Sequence, residues 1–204
     1  MEKLVLIIIS LILIQNIIIL GQNKRVFTAE DLWKIKRLSS LKISPDGKYG
    51  CFVVTEYDLN NNKGNSDLYL IKLNTYEIRR LTTNLNSDHS PVWAPNSKKI
   101  AFISKREGEY QQLYEIDIDG GEARLLYEMP MGISNPKYSS DGKKIFFVSK
   151  IIPGMENDFE KMKKALKERK EKKVSAKVTE NRFYRYWDSW LTDGDVPHLF
   201  MLEI

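Results

Sequence analysis

The sequence repeats one turn-and-strand pattern three times, and this repetition constrains the fold more strongly than any other feature. The three copies are SLKISPDGKYGCFVV (40–54), PVWAPNSKKIAFIS (91–104) and PKYSSDGKKIFFVS (136–149). Their turn positions, Asp46, Asn96 and Asp141, are 50 and 45 residues apart. Repeats of this length that contain β-strands are typical of the blades of a β-propeller.

The first copy shows why this pattern predicts a tight turn. Pro45 fixes its φ angle near the value that the second position of a turn requires. Asp46 can accept hydrogen bonds from nearby backbone amides, and Gly47 can adopt the left-handed conformation that closes a three-residue hairpin. These three residues therefore predict a hairpin between two strands.

The other two copies depart from this pattern in different ways. Pro95 and Asn96 are followed by Ser97, for which a positive φ is unfavourable, so we expect this turn to have a different shape. The third copy lacks the proline but keeps Asp141 and Gly142. Metal binding is the alternative role for the three turn positions, but single side chains spread over three blades favour a structural role. We predict no metal site and no cofactor.

The segments between the turns complete a four-stranded unit. An apolar run follows each turn, and its continuous hydrophobicity predicts a strand that is covered on both faces. In the first two copies an alternating strand and a short final strand come next. The sequence therefore predicts an all-β fold, a partial β-propeller of about two and a half to three four-stranded blades. The blades are predicted near 40–83, 88–129 and 134–204, within an incomplete propeller domain at 22–204.

The N-terminal segment predicts export. Lys3 precedes an apolar stretch, residues 4–20, which contains polar residues and is short for a membrane span. We interpret residues 1–21 as a signal peptide that is cleaved near Gly21, or alternatively as a retained N-terminal anchor. Either alternative places the rest of the chain in an extracytoplasmic space, periplasmic or secreted. Membrane contact is expected only through this segment.

The cysteine content and the segment before the first blade give two further predictions. The single cysteine, Cys51, excludes an intrachain disulfide and is expected to be buried in its apolar run. A short helix is predicted before the first blade, with Thr28 as its N-cap and Asp31 three residues later, as in a capping box.

A charged helical insertion is predicted near 154–180, inside the third blade. The stretch 160–173 holds eight Lys or Arg and three Glu, and its net charge equals the +5 of the whole chain. Phe159, Met162 and Leu166 are predicted to share one side of this helix. The interspersed acidic residues favour a solvated helix, with binding of anionic lipid as the weaker alternative. Nucleic acid is not an expected partner of an exported chain.

Two segments resemble a known family. FTAEDLWKIKRLSSLKISPDGKYGCFVV resembles the start of the propeller domain in the prolyl oligopeptidase family of serine peptidases, in the branch of exported bacterial dipeptidyl-peptidase and acylaminoacyl-peptidase-like enzymes. The tail ENRFYRYWDSWLTDGDVPHLFMLEI is similar to an R-x-W-D-x-W element and an H-L-F strand in that branch. These positions are Arg185, Trp187, Asp188, Trp190, His198, Leu199 and Phe200. Turns of the SPDG type also occur in the Tol-translocation propeller.

The resemblance implies a seven- or eight-bladed propeller that limits access to a Ser-Asp-His triad on an α/β-hydrolase domain. This sequence contains no G-x-S-x-G nucleophile elbow and no Glu-Glu doublet of the kind that holds a substrate amine. We expect neither His89 nor His198 to act as a catalytic base. The chain, which ends within a strand-like run, is therefore expected to be the inactive front part of a peptidase. Its peptide substrate would meet a hydrolase domain outside this sequence.

Trp187, Asp188 and Trp190 are the candidate substrate-gating residues. Large aromatic side chains beside a carboxylate can form a wall of a peptide-binding site. The alternative is that the two tryptophans pack the insertion against its blade. A second function is also open, namely a non-catalytic periplasmic propeller that binds a protein partner, similar to the Tol-translocation propeller. Because fewer than three complete blades cannot close a ring, we expect residues 22–204 alone to aggregate or oligomerise.

Overall fold

A computed structural model describes residues 25–174, 185–186, 189–190 and 194–204. The chain divides into two compact units, Met1–Ile35 and Lys36–Ile204. No helix among the described residues is long and hydrophobic enough to span a membrane. The predicted signal or anchor segment lies outside the described residues and stays a prediction.

The first unit contains the predicted short helix, α1 (Ala29–Lys34). Thr28 is its N-cap, and a reciprocal capping box with Asp31 is present, as predicted. Both carboxylate oxygens of Asp31 also accept hydrogen bonds of 2.6 Å from Arg25. The Arg25 guanidinium, together with the Thr28 amide, lowers the pKa of Asp31 to about 2.

The second unit is built from antiparallel sheets, of which three correspond to propeller blades. Blade 1 consists of β1 (Arg37–Ile43), β2 (Tyr49–Asp58), β3 (Lys63–Lys72) and β4 (Ile78–Arg80). Blade 2 consists of β5 (Asp88–Trp93), β6 (Lys99–Ser104), β7 (Gln112–Asp117) and β8 (Arg124–Tyr127). In both blades the strands pair in chain order. The prediction of an all-β partial propeller is confirmed.

Blade 3 is interrupted by the insertion. It begins with β9 (Ser134–Tyr138) and β10 (Lys144–Ile151). The insertion then contains α2 (Phe159–Glu171) and the short strands β11 (Arg185–Tyr186) and β12 (Ser189–Trp190). The chain returns as β13 (Val196–Glu203), which pairs with β10 along its whole length.

The hydrophobic core lies between adjacent blades. One cluster joins blade 1 to blade 2 and includes Cys51, Leu68 and Phe102; a second joins blade 2 to blade 3 and includes Ile103 and Phe147. Cys51 is fully buried, as predicted, and burial raises the pKa of its thiol to about 12.

Burial along the strands differs between the blades. β2 and β6 each carry five consecutive buried residues, which agrees with the prediction that both faces are covered. In β10 burial alternates instead, and that prediction is wrong for this strand. No described sheet covers the second face of blade 3, where Leu199 is 72% and Met201 50% exposed.

The three repeated turns have the same backbone shape. The φ angles of Gly47, Ser97 and Gly142 are 70°, 59° and 72°, and each residue donates its amide to the carbonyl three positions earlier. Our expectation of a different shape at Ser97 is therefore wrong. At each turn the preceding Asp or Asn side chain accepts the amide of the residue two positions later, over 2.9 to 3.1 Å.

Contacts between neighbouring turns explain why a serine is tolerated. Ser97 is buried, and its Oγ accepts a 3.1 Å hydrogen bond from the amide of Asp46 in blade 1. On the other side of blade 2, Pro95 lies so close to Gly142 that a Cβ there would be 3.4 Å from its ring. The three turns therefore stack against one another along one rim of the sheets.

Helix α2 packs on blade 3 through the side that the sequence predicts. Met162 is fully buried and belongs to a cluster with Ile151 and Ile152, against which Phe159 and Leu166 also pack. Asp158 is the N-cap. Ion pairs hold the outer part of the helix, Arg169 to Asp195 at 2.7 Å and Lys170 to Glu109 of blade 2.

Candidate functional site

The first strands of the three blades lie side by side. β1 is adjacent to β5, and β5 to β9, so these inner strands form one continuous wall. In a closed propeller the innermost strands surround the central axis, where ligands and substrates have access. This wall is therefore the candidate functional site.

Each inner strand carries a β-bulge at the same position. In β1 two residues, Ser40 and Leu41, lie opposite the single residue Phe52 of β2. The same two-to-one register occurs in β5 at 90–91 and in β9 at 135–136. A bulge leaves backbone groups outside the ladder of strand hydrogen bonds and turns the adjacent side chains.

The first residue of every bulge is left-handed, and none is a glycine. The φ angles of Ser40, Ser90 and Asn135 are 55°, 54° and 52°. For a residue with a Cβ this conformation costs about 1 kcal/mol, although asparagine tolerates it better. Sequence reasoning missed these bulges because Ser90-Pro91 and Asn135-Pro136 are dipeptides that favour an extended backbone.

The bulges border a groove of about 550 Å³, which we call the inner-strand groove. It is lined by Ser40, Lys42, Ile43, Ser90, Pro91, Val92, Trp93, Asn135, Pro136 and Lys137. Blade 2 forms the middle of the groove, and blades 1 and 3 form its two sides. The indole Nε1 of Trp93 donates a 2.9 Å hydrogen bond to the carbonyl of Lys42. This bond joins blade 2 to blade 1 at the groove.

The groove is positively charged. Lys42 and Lys137 occupy equivalent positions in blades 1 and 3, where blade 2 has Val92. Both lysines are exposed, and neither forms an ion pair with another described residue. None of the lining residues is acidic.

Three cations elsewhere in blade 2, Lys99, Arg106 and Arg124, have buried partners. Asp88 is completely buried and accepts two hydrogen bonds from Arg106, of 2.6 and 3.2 Å. Glu115 is also buried and is bonded to Lys99 and Arg124. These pairs hold strands together, so the unpaired lysines of the groove differ from the structural cations of the same unit.

Glu115 also connects two blades. The hydroxyl of Tyr138 in blade 3 donates a 2.9 Å hydrogen bond to Glu115. Burial opposes ionisation of Glu115, but the bonds from Arg124, Lys99 and Tyr138 outweigh it and leave its pKa lowered. Burial and the nearby Glu115 carboxylate raise the pKa of Tyr138, so the tyrosine remains a neutral donor.

Neither histidine forms a catalytic arrangement with other residues in the described part of the chain. His89 Nδ1 is 3.0 Å from the hydroxyl of Ser90, and burial lowers the pKa of His89. Ser90 sits on a strand bulge rather than on a nucleophile elbow, and the carboxylate of the adjacent Asp88 is bound to Arg106. His198 is exposed on β13, opposite Ser149.

Comparison with known families identifies the repeated unit. The family model described as the TolB beta propeller domain matches residues 32–182. The chain belongs to this family. The match spans all the turns and inner strands described above, so TolB-type blades supply the inner-strand groove.

The full-length relatives of this TolB-type propeller include peptidases. The chain is 28% identical over 181 residues to dipeptidyl-peptidase 5 of Porphyromonas endodontalis, which covers 88% of the chain and 24% of the relative. It is 30% identical over 131 residues to the uncharacterized peptidase YuxL of Bacillus subtilis. This match covers 64% of the chain and 20% of the relative. The chain thus spans about a quarter or less of the length of these relatives.

A solved structure confirms the fold. The acylaminoacyl peptidase of Pyrococcus horikoshii superposes with a TM-score of 0.61 at 16% identity, covering 83% of this chain and 24% of that one. At this identity the likeness concerns the fold alone. The peptidase relatives confirm the resemblance to the propeller portion of the prolyl oligopeptidase family.

The predicted aromatic wall lies largely outside the described residues. Trp187 and Asp188 are not among them. Trp190 belongs to β12 and pairs through its backbone register with Arg185 of β11, and its side chain is not described. The gating role of these three residues therefore stays a prediction. Sequence reasoning did not find the inner-strand groove.

Proposed function

We propose that this chain is the N-terminal, substrate-admitting propeller portion of an exported serine peptidase that acts on short peptides. The observation that carries the proposal is the extent of the peptidase matches. Two peptidases match most of this chain, yet the chain accounts for only 24% and 20% of their lengths. A propeller that precedes a catalytic domain would give this pattern.

The chain's own contribution would be selection by size and binding. Packed blades exclude folded proteins from the axis, whereas an extended peptide can lie along the inner strands. The chain provides no G-x-S-x-G sequence, so the nucleophile, its base and the oxyanion hole would come from a hydrolase domain outside this sequence. Residues 1–21 would direct the protein out of the cytoplasm.

The experiment that tests this proposal begins with the gene. The coding frame is read beyond codon 204 in genomic DNA, and the whole frame is expressed. We expect further repeats, a G-x-S-x-G serine and later Asp and His residues, and hydrolysis of a chromogenic dipeptide that is abolished when that serine is changed to alanine. A stop codon after Ile204, or an intact frame without serine-dependent hydrolysis, would refute the proposal.

A second function is supported by the family itself. The matching family model is described as the TolB beta propeller domain and not as a peptidase. In that case the blades would bind a protein partner and no hydrolysis would follow. The same full-frame experiment distinguishes the two functions, because only the first predicts a nucleophilic serine.

A further inference from the structure

We propose that the inner-strand groove is a binding site for acidic peptide segments, with carboxylates held by Lys42 and Lys137. This inference deepens the proposed function, since it names the class of peptide that the propeller portion would select. It rests on the charge, the shape and the repeated geometry of the groove.

The charge argument comes from the contrast between paired and unpaired cations. Arg106 and Arg124 are committed to the buried carboxylates of Asp88 and Glu115. Lys42 and Lys137 have no such partner among the described residues, and no acidic side chain lines the groove. Two unneutralised ammonium groups facing one concave surface favour an anionic ligand.

The shape argument concerns where the charges lie. The two lysines stand on opposite sides of the groove, on the strands that flank β5. Between them lie the apolar side chains of Pro91, Val92 and Trp93. A peptide that crosses β5 can therefore place an apolar stretch on the middle of the groove and a carboxylate at either side.

The bulges add neutral hydrogen-bonding groups to the same surface. Ser40 and Asn135 are exposed, left-handed, and precede the two lysines by two residues. Their side chains form no hydrogen bond with other residues in the part of the chain that the structure describes. They are available to a peptide backbone or to a carboxylate oxygen.

The test is a binding measurement on the 204-residue chain. Rhodamine-labelled Gly-Glu-Leu-Glu-Gly and Gly-Lys-Leu-Lys-Gly are titrated by fluorescence anisotropy at low and at physiological salt. We expect the acidic peptide to bind more tightly than the basic one, with an affinity that falls as salt screens the charges. The variant Lys42→Gln/Lys137→Gln is expected to bind the acidic peptide about five-fold more weakly, because it cannot form the two exposed ion pairs.

A matched variant controls for total charge. Lys161→Gln/Lys164→Gln removes two exposed lysines of α2 that pair with no other described residue and lie away from the groove, and it has the same net charge as the groove variant. We expect it to keep the affinity of the unchanged chain. Equal losses in the two variants, or equal binding of the acidic and basic peptides, would overturn the proposed site.

The outcome is independent of hydrolysis. If the groove variant binds normally while the full frame cleaves peptides through its serine, this inference fails and the proposed function stands. If acidic peptides bind at the lysines but the frame contains no hydrolase domain, the peptidase function fails and the groove is the site of a binding propeller.

Discussion

Replacing Ser97 tests whether neighbouring blades are joined through their turns. Ser97 has a φ of 59°, a conformation that a glycine would adopt without strain. Its Oγ also accepts the amide of Asp46 in blade 1 at 3.1 Å. The side chain therefore carries one unfavourable and one favourable contribution, and substitutions can separate them.

The magnitudes follow from these two contributions. Ser97→Ala loses the hydrogen bond and keeps the backbone strain, so we expect a loss of about 1 kcal/mol in the free energy of unfolding. Ser97→Gly loses the same bond but relieves strain of about 1 kcal/mol, so its stability should be close to that of the unchanged chain. Gly47→Ala is the matched control, because its φ is 70° and no atom lies within 4 Å of an added Cβ. It should lose about 1 kcal/mol through strain alone.

Equilibrium unfolding in urea, followed by tryptophan fluorescence, measures all three variants. Two protein concentrations are compared, so that self-association is detected as a concentration dependence. A loss of 1 kcal/mol corresponds to a decrease of about 2–4 °C in Tm for a chain of this size. If Ser97→Ala is as stable as the unchanged chain while Ser97→Gly is clearly more stable, the inter-blade bond contributes nothing and the reasoning is wrong.

Three other substitutions or reactions test the packing of the blades. Tyr138→Phe should lower the free energy of unfolding in urea by about 1.5–3 kcal/mol, because the buried, charged carboxylate of Glu115 loses a hydrogen-bond donor. An unchanged midpoint of the urea transition would contradict this prediction. Cys51 should react with a thiol reagent at pH 8 only in denaturant, since it is buried and its pKa is raised to about 12; rapid labelling of the folded chain would refute its burial. Leu199→Lys/Met201→Lys should increase the monomer fraction in size-exclusion chromatography, because it interrupts the exposed apolar face of blade 3; an unchanged elution profile would show that this face does not drive association.

The tyrosine contact also has a pH dependence with a defined sign. The pKa of Glu115 is lowered in the folded chain, so its ionisation stabilises the fold above the ordinary pKa of a glutamate. This contribution is lost as the pH falls through the lowered value. Because Tyr138→Phe removes one of the bonds that lower the pKa, the variant should show a smaller decrease in stability on acidification than the unchanged chain.

The fold was predictable because it is repeated. Three copies of one turn fix the strand boundaries independently, and errors in one copy are corrected by the others. Thr28 and Asp31 likewise identify the start of α1 by local chemistry alone. The side of α2 that packs was predictable from the spacing of Phe159, Met162 and Leu166.

The errors occurred where a contact between blades decides the outcome. Ser97 was expected to change its turn, because local sequence shows the strain but not the amide of Asp46 that offsets it. The alternating burial of β10 depends on which sheets flank blade 3, and a short apolar run does not contain that information. Both cases require knowledge of neighbours that are distant in sequence.

The inner-strand groove was missed for a related reason. Lys42 and Lys137 are 95 residues apart in sequence, and each is an ordinary surface lysine when its own repeat is read alone. Aligning the repeats by their bulges shows that both occupy one structural position, which blade 2 fills with Val92. The repeats can be aligned in this way from the sequence alone. The alignment does not show, however, that the side chains of Lys42, Val92 and Lys137 line one groove.

The repeats also separate residues that join blades from residues that face the groove. Trp93 and Tyr138 are equivalent, and each donates a hydrogen bond to the preceding blade, to Lys42 and to Glu115 respectively. This hydrogen bond explains why both residues are aromatic with a polar group, because each blade of a propeller must be joined to the blade before it. The position just before them lines the groove, as Val92 in blade 2 and Lys137 in blade 3. Binding of acidic peptides at the inner-strand groove, as proposed, would account for the lysines of blades 1 and 3, since neither lysine forms an ion pair with another described residue.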